Sequence, residues 1–469
     1  MLGRQNRWQE DLFVACPLCD LVPDDHPLKR IDKILDLGWL RNEVKDCYCL
    51  DNGRPGIDPE AAVRLMLAGL IEGIVHDRKL MRAAQVNLAI RWFAGYRLDQ
   101  RLPDHSSLSV LRKRWGVERF ARLFVRTVQQ CVDAGLVRGD LVHVDATLIR
   151  ADVSWESLVL KHVQEIQTAN ADDPPQPTPP GPGKLKKVST TDPDATMTTS
   201  CNQQRMEPCF KQHTAVDDQA GVVVDVAVTT GEASEGKQLL DQIDRIQATT
   251  GVAVQTVTAD AGYAHSANYE ALSQRQIEAV IPTPKARTGK RIPSARFRYD
   301  ARHDVVRCPR GKTLRRSSRT PNGWMYRACR KDCRACPLHR RCISRSAKVR
   351  TVLIVDGYVA LLQARRAHVR CEPRRRRLYD RHRGLVEGRH GEAKTQHGLR
   401  RAARRGMWNV AIQSYLTAAV MNLKRLAAQA AILDGLLGWD PPVIGLIEPQ
   451  NTSRALWERC VIANHRHAA

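Results

Sequence analysis

Apolar residues recur every three or four positions through most of residues 1–137, and this period predicts a set of amphipathic helices. DPEAAVRLMLAGLIEGI (58–74) shows it most cleanly. Asp58 stands where an N-cap belongs, Pro59 takes the first helical position, and the apolar residues follow at helical spacing. KLMRAAQVNLAIRWFAGY (79–96) and SSLSVLRKRWGVERFARLFVRTVQQCVDAGL (106–136) continue the pattern, with short polar breaks such as LPDHSS between them. Near residue 138 the texture changes. LVHVDATL (141–148) reads as a buried strand, and KQHTAVDDQAGVVVDVAVTTG (211–231) as a hairpin turning around 217–221. A helix over 234–249, a strand in GVAVQTVTADAGY (251–263), a helix over 266–275 and a strand over 277–282 follow. The order β, ββ, α, β, α, β predicts an α/β core. ADDPPQPTPPGPG (171–183) interrupts it as an exposed loop, because proline removes backbone donors and fixes φ. A Cys- and Arg-rich segment over 285–376 breaks the order again, and long helices are predicted over about 378–435. The chain thus divides into a helical unit (1–137), a first part of the core (138–284), an insertion (285–376), C-terminal core helices (377–435) and a weakly patterned tail (436–469).

Asp145 violates the pattern of its own strand. An unpaired carboxylate in an apolar strand costs several kcal/mol, so something must compensate it. Two further acids have informative contexts. Asp260 closes the strand VQTVTAD just before Gly262, at the sheet edge where open α/β folds bind ligands. Glu387, in RHRGLVEGRHGEAK, falls on a predicted helix with Arg383 four residues before it and Lys394 seven after, on one face. Three such carboxylates suit phosphoryl transfer on DNA. That chemistry requires an activated water or 3′ hydroxyl and a stabilised leaving oxygen, and two Mg²⁺ held by a few carboxylates supply both. Bound cations would also compensate the burial of Asp145. Taken singly, an Asp at a strand end is more often a turn residue, and Glu392 competes with Glu387 on the same helix.

Charge adds a partner. Lys and Arg number 74 against 50 Asp and Glu, a formal +24 that points to a polyanion, most commonly nucleic acid. Aromatic residues at 5% argue against a single-strand binder built on stacking. The excess is clustered: residues 361–405 hold fifteen Lys/Arg and four Asp/Glu. The run EPRRRR is too one-sided for pairing along a helix, which makes Arg374, Arg375, Arg376, Arg377, Arg383, Lys394, Arg400 and Arg401 candidate DNA contacts. No stretch long enough to span a bilayer is apolar and uncharged, and the N-terminus is too polar for a signal peptide. A cytoplasmic, nucleoid-associated protein with reduced thiols is therefore expected. Cys329, Cys333, Cys336 and Cys342 have spacing suited to a closed, structural Zn²⁺ site, with Cys308 as an alternative fourth ligand.

Together these segments resemble the bacterial insertion-sequence transposases that carry a DDE triad on an RNase H-like core. DHPLKRIDKILD, GRPGIDPEAAVRLMLAGLIEGI and LPDHSSLSVLRKRWG are similar to their N-terminal helical domain. VDATLIRADVS resembles the first-Asp strand, DPDATMTT and KQHTAVDDQAGVVVDV the segments after it, and ADAGYAHSANYEAL the second-Asp strand and helix. RHRGLVEGRHGEAKTQHGLRRAARRG resembles the Glu helix, with its Arg-x3-Glu-x6-Lys spacing. Two departures stand out: Asp380 occupies the place of a frequent Tyr, with Tyr379 one earlier, and Ala146 follows the first Asp where many relatives have Gly. The resemblance implies an RNase H-like mixed-sheet catalytic core with an N-terminal all-α domain and a Cys-rich insertion. It implies that Asp145, Asp260 and Glu387 bind two Mg²⁺, with Mn²⁺ as a substitute, to cleave and join double-stranded DNA at terminal inverted repeats and target. A homodimer is expected in the working complex. A nuclease that does not join strands, and a binding protein without chemistry, are the rival readings.

Overall fold

The computed structural model describes residues 16–48, 56–162, 185–199, 205–283, 291–344, 346–370 and 372–437. The Pro-rich stretch 171–183 and residues 438–469 of the expected tail lie outside them. The N-terminal part forms α1 (Pro27–Asp32), α2 (Leu40–Val44), α3 (Pro59–Ile71), α4 (Asp77–Val86), α5 (Leu88–Phe93) and α6 (His105–Asp133). Asp58 caps α3 as its position suggests, accepting from the backbone N–H of Glu60 at 2.8 Å and of Ala61 at 3.3 Å. Two predicted helices are broken. Asn87, in extended conformation, ends α4 and caps α5 by accepting from Ile90 N–H at 3.1 Å. Gly116 sits within α6 at φ +74°, which kinks the predicted 106–136 helix.

The core is built on β1 (Leu141–Arg150), with Val142, Val144 and Ile149 fully buried. It continues through β2 (Leu158–His162), β3 (Leu185–Ser189), β4 (Thr196–Thr198), β5 (Glu207–Asp217), β6 (Val223–Thr230), α7 (Leu239–Thr250), β7 (Thr256–Ala259), α8 (Ser266–Gln274) and β8 (Glu278–Val280). β1 pairs antiparallel with β5 and parallel with β7; β5 pairs antiparallel with β6, and β7 parallel with β8. The order β6-β5-β1-β7-β8 forms a mixed sheet in which β5 alone of these five runs against the others, extended on the β5 side by β4, β3 and β2.

The segment after residue 284, read from sequence only as Cys- and Arg-rich, contains a second sheet of five strands. These are β9 (Arg298–Asp300), β10 (Val305–Arg307), β11 (Thr313–Thr320), β12 (Gly323–Ala328) and β13 (Thr351–Val355), with the short α9 (Arg330–Arg334) and α10 (His339–Cys342) between the last two. Then come α11 (Tyr358–Arg370), α12 (Pro373–Thr395) and α13 (Met407–Leu437). α13 joins two cores. Val410, Ala418 and Met421 pack with the sheet, while Ile412, Leu416, Ala419 and Leu423 pack with the N-terminal helices. Its buried Asn422 exchanges two 2.9 Å hydrogen bonds with the Val223 backbone, satisfying the free edge of β6. The segment DPDATMTT also acquires a task. Asp192 and Asp194 accept from the backbone N–H groups of Gly406 and Met407, the entry to α13. Among the described residues no helix is long and apolar enough to cross a membrane.

Candidate active site

Parallel pairing of β1 and β7 sets Val144 opposite Ala259, so Asp145 and Asp260, one residue on, emerge side by side. β7 stops there. Asp260 leaves the strand and accepts the backbone N–H of Gly262 at 2.8 Å, capping a single 3₁₀ turn over Ala261–Tyr263. α12 crosses β1, β5 and β7 and brings Glu387 over the same edge.

Asp145 is partly buried, its side chain 24% exposed, and no Lys or Arg among the described residues pairs with it. Its nearest partner of opposite character is the ring of His390, with Nδ1 at 3.7 Å. Burial drives the His390 ring down to about 3, so it is neutral and gives Asp145 no charge. Burial therefore pushes the Asp145 carboxyl up to about 7; the Ala146 N–H eases this, and Asp260, Glu235 and Glu387 add to it. Asp260 is raised by burial too, with Glu235 contributing. Glu387 is 67% exposed and turned along its own helix toward Arg383 at 3.5 Å. As they stand, no three His, Cys, Asp or Glu side chains among the described residues are drawn together as a finished metal site. The donor set nevertheless fits a hard divalent cation: the carboxylates of Asp145 and Asp260 emerge from neighbouring strands, and burial raises both above the ordinary carboxylate range. Two buried polar atoms with no hydrogen-bond partner among the described residues, His390 Nε2 and the Tyr263 hydroxyl, lie in the same place.

One layer beneath the acids runs a buried hydrogen-bonded train that their sequence did not reveal. His143, two residues before Asp145, and Thr258, two before Asp260, are 2.6 Å apart; Thr258 and His382, five before Glu387, are 3.0 Å apart. His143 Nε2 reaches Asp218 at 2.9 Å. With one proton on each ring the direction is fixed. His382 Nδ1–H donates to Thr258, whose hydroxyl donates to His143 Nδ1, and His143 Nε2–H donates to the Asp218 carboxylate. Burial lowers His382 to about 4, consistent with a neutral ring. Tyr379 stacks on His382 at 5.7 Å, and Arg381 pairs with Asp218 at 2.5 Å, so α12 is tied to both acid-bearing strands.

The other acid on this helix, Glu392, has a different occupation. It is 13% exposed and paired with Lys424 at 2.9 Å, Arg425 at 2.8 Å and Arg389 at 3.0 Å. It fastens α12 to α13.

The basic residues divide likewise. Arg374 and Arg375 both pair with Glu278 on β8, at 2.7 and 2.8 Å, and hold the start of α12. Arg376 and Arg377 are exposed on the same helix. Arg401 reaches Asp152 at 3.8 Å. Lys394 and Arg400 line a cavity of about 540 Å³ with Arg150 and Arg205, beside the far half of β1. Among the thiols, Cys342 faces Cys308, Cys333 and Cys336, whereas Cys329 is exposed at the start of α9.

Two family models match. Residues 17–114 match the family described as Transposase domain (DUF772), and residues 307–427 match Transposase DDE domain. The second match contains Glu387, Arg383 and Lys394, while Asp145 and Asp260 fall between the two. No curated protein matches the chain. Among solved structures, the Mos1 transposase paired-end complex with left transposon end aligns at 12% identity and a TM-score of 0.17 over 52% of this chain; the alignment spans 65% of that chain.

Proposed function

We propose that this chain is a DDE transposase that cleaves double-stranded DNA at the ends of an insertion sequence and joins the freed 3′ ends to a target, with Asp145, Asp260 and Glu387 as its catalytic acids. One observation carries the reading: two parallel neighbouring strands and a crossing helix bring three carboxylates to one sheet edge, where no Lys or Arg among the described residues pairs with Asp145 and burial pushes its carboxyl up to about 7. Divalent metal ions, two Mg²⁺ or Mn²⁺ in this reading, would activate the attacking water or 3′ hydroxyl and stabilise the leaving oxygen. Asp145 and Asp260 offer ligand oxygens from rigid strands. Glu387 joins them by turning from Arg383, which frees that guanidinium for a phosphate. Lys394 is half-buried; burial and Arg400 lower its pKa, and an incoming phosphate would favour its charged form. Arg376, Arg377 and Arg400 extend the basic surface along the DNA backbone, and handling two ends calls for two copies of the chain. The test uses pre-cleaved end DNA and a supercoiled plasmid. Metal-dependent joined products with the wild type, and none with Glu387→Gln, are expected; nicks without joining would make the protein a nuclease.

In the Cys-rich lobe we place one structural Zn²⁺ on Cys308, Cys333, Cys336 and Cys342. The main lobe core has six buried side chains (Phe297, Val306, Leu314, Tyr326, Val352 and Ile354), a small number to hold five strands without a staple. Cys342 packs against that core and against the small cluster around Cys333, while Cys308 sits at a tight turn closed by Gly311. Elemental analysis should find one zinc per chain, retained in Cys329→Ser and lost in Cys336→Ser. Loss in Cys329→Ser would restore the quartet that spacing favoured.

A further inference from the structure

The acids named so far do not account for everything at the site. Glu235 stands just past β6, at the start of a 3₁₀ turn over Glu235–Lys237. β6 runs in the same direction as β1 and β7, so its exit reaches the sheet edge that carries Asp145 and Asp260. The packing there is close. A Cβ built on Gly262 would have both Glu235 Oε2 and Asp260 Oδ1 within 3.0 Å of it. The two carboxylate oxygens thus flank a single point, and a side chain at 262 would push Glu235 aside.

This proximity is built, not incidental. Asn268, buried on α8, donates from one amide to Gly236 O at 2.8 Å and Tyr263 O at 3.0 Å, clamping the Glu235 turn to the Asp260 turn. The His265 ring packs against Gly236 so tightly that a Cβ there would sit 2.8 Å from it. Two like charges held together at a protein interior repel, and a fold that fastens them needs a counter-charge. Lys211, 3.0 Å from Glu235, supplies one. It pairs neither with Asp145 nor with the Tyr263 hydroxyl. That hydroxyl belongs to a side chain with no solvent exposure, has no hydrogen-bond partner among the described residues, and lies in the field of Asp145, Glu235 and Asp260.

We propose that Glu235 is a fourth carboxylate ligand of the divalent-metal site, binding with Asp260 and Asp145. Lys211 holds Glu235 in the metal-free protein and yields it when the ion enters. The inference rests on the reading that Asp145 and Asp260 bind metal.

The experiment is Mn²⁺ titration of the full-length protein followed by electron paramagnetic resonance, without DNA. Glu235→Gln should weaken Mn²⁺ binding at least tenfold, and Asp145→Asn should do so as well. Lys211→Gln separates a ligand from a mere ion-pair partner. It breaks the same salt bridge, so if Glu235 is a ligand, Mn²⁺ binding stays unchanged or tightens. If Glu235 only anchors Lys211, Lys211→Gln loses Mn²⁺ as Glu235→Gln does, and the proposal fails. Wild-type binding by Glu235→Gln with loss in Asp145→Asn also overturns it, leaving the three-acid reading intact. Wild-type binding by both variants overturns the metal reading itself. Should Glu235→Gln not fold, the Lys211→Gln titration decides alone.

Discussion

Replacing Asp145 by Asn should stabilise the metal-free protein, although it removes a residue central to the proposed chemistry. Asp145 ionises near 3.8 when unfolded and at about 7 in the fold. The folded state therefore holds a proton that the unfolded state has released between these values. Stability contributed by the group is present below pH 4 and is lost as pH rises to 7. The full difference amounts to about 4 kcal/mol; allowing for water reaching a side chain that is 24% exposed leaves about 2 kcal/mol. Asn keeps the shape and cannot ionise. In EDTA, the melting temperature of Asp145→Asn should exceed that of the wild type by on the order of 4 °C at pH 8 and by little at pH 4. Comparing the two proteins at each pH cancels the buried histidines, His213, His382 and His390, which titrate in both. Mn²⁺ should reverse the ranking at pH 8, because only the wild type gains a cation on its strained carboxylates. Scanning fluorimetry measures all of this. An Asn variant less stable than the wild type at pH 8 without metal would refute the claim that Asp145 lacks compensation.

Thr258→Val removes the centre of the train between His143 and His382 and leaves two buried ring nitrogens unpaired. A loss of about 2 kcal/mol and a raised metal requirement for cleavage are expected, with Thr258→Ser restoring both. Glu392→Gln should cost about 3 kcal/mol by unpairing Lys424 and Arg425, yet spare cleavage per folded molecule; Glu387→Gln should abolish cleavage without lowering the melting temperature. Arg377→Ala should reduce the salt dependence of DNA affinity by about one unit of log–log slope, whereas Arg375→Ala should lower stability and leave the slope unchanged.

The β1 anomaly was legible because a charge in a Val-rich strand needs a reason, and the period-2 hairpin and flanking helices located the sheet around it. Asp260 was legible from its place before Gly262 at a strand end. Glu235 was not, since an acid after GEAS resembles any loop acid until β6 is known to run parallel to β1 and exit beside Asp260. The second sheet escaped notice for a related reason: β11, TLRRSSRT, is largely exposed, so its alternation carries little hydrophobic signal. Arg374 and Arg375 read as free cations because their partner, Glu278, lies 96 and 97 residues away in sequence. The division of Glu387 from Glu392 likewise depends on α13, which supplies the cations that occupy Glu392.

The most direct measurement takes as substrate the DNA flanking this protein's own coding sequence. Purified wild type, Asp145→Asn and Glu387→Gln are incubated with it in Mg²⁺ or Mn²⁺, and new 3′ ends are mapped to the nucleotide. Breaks by the wild type at one boundary of each flank, absent without metal and absent in both variants, are the expected result. Specific binding of the same DNA with no break in either metal, or breaks that persist in the variants, would contradict the three-carboxylate site.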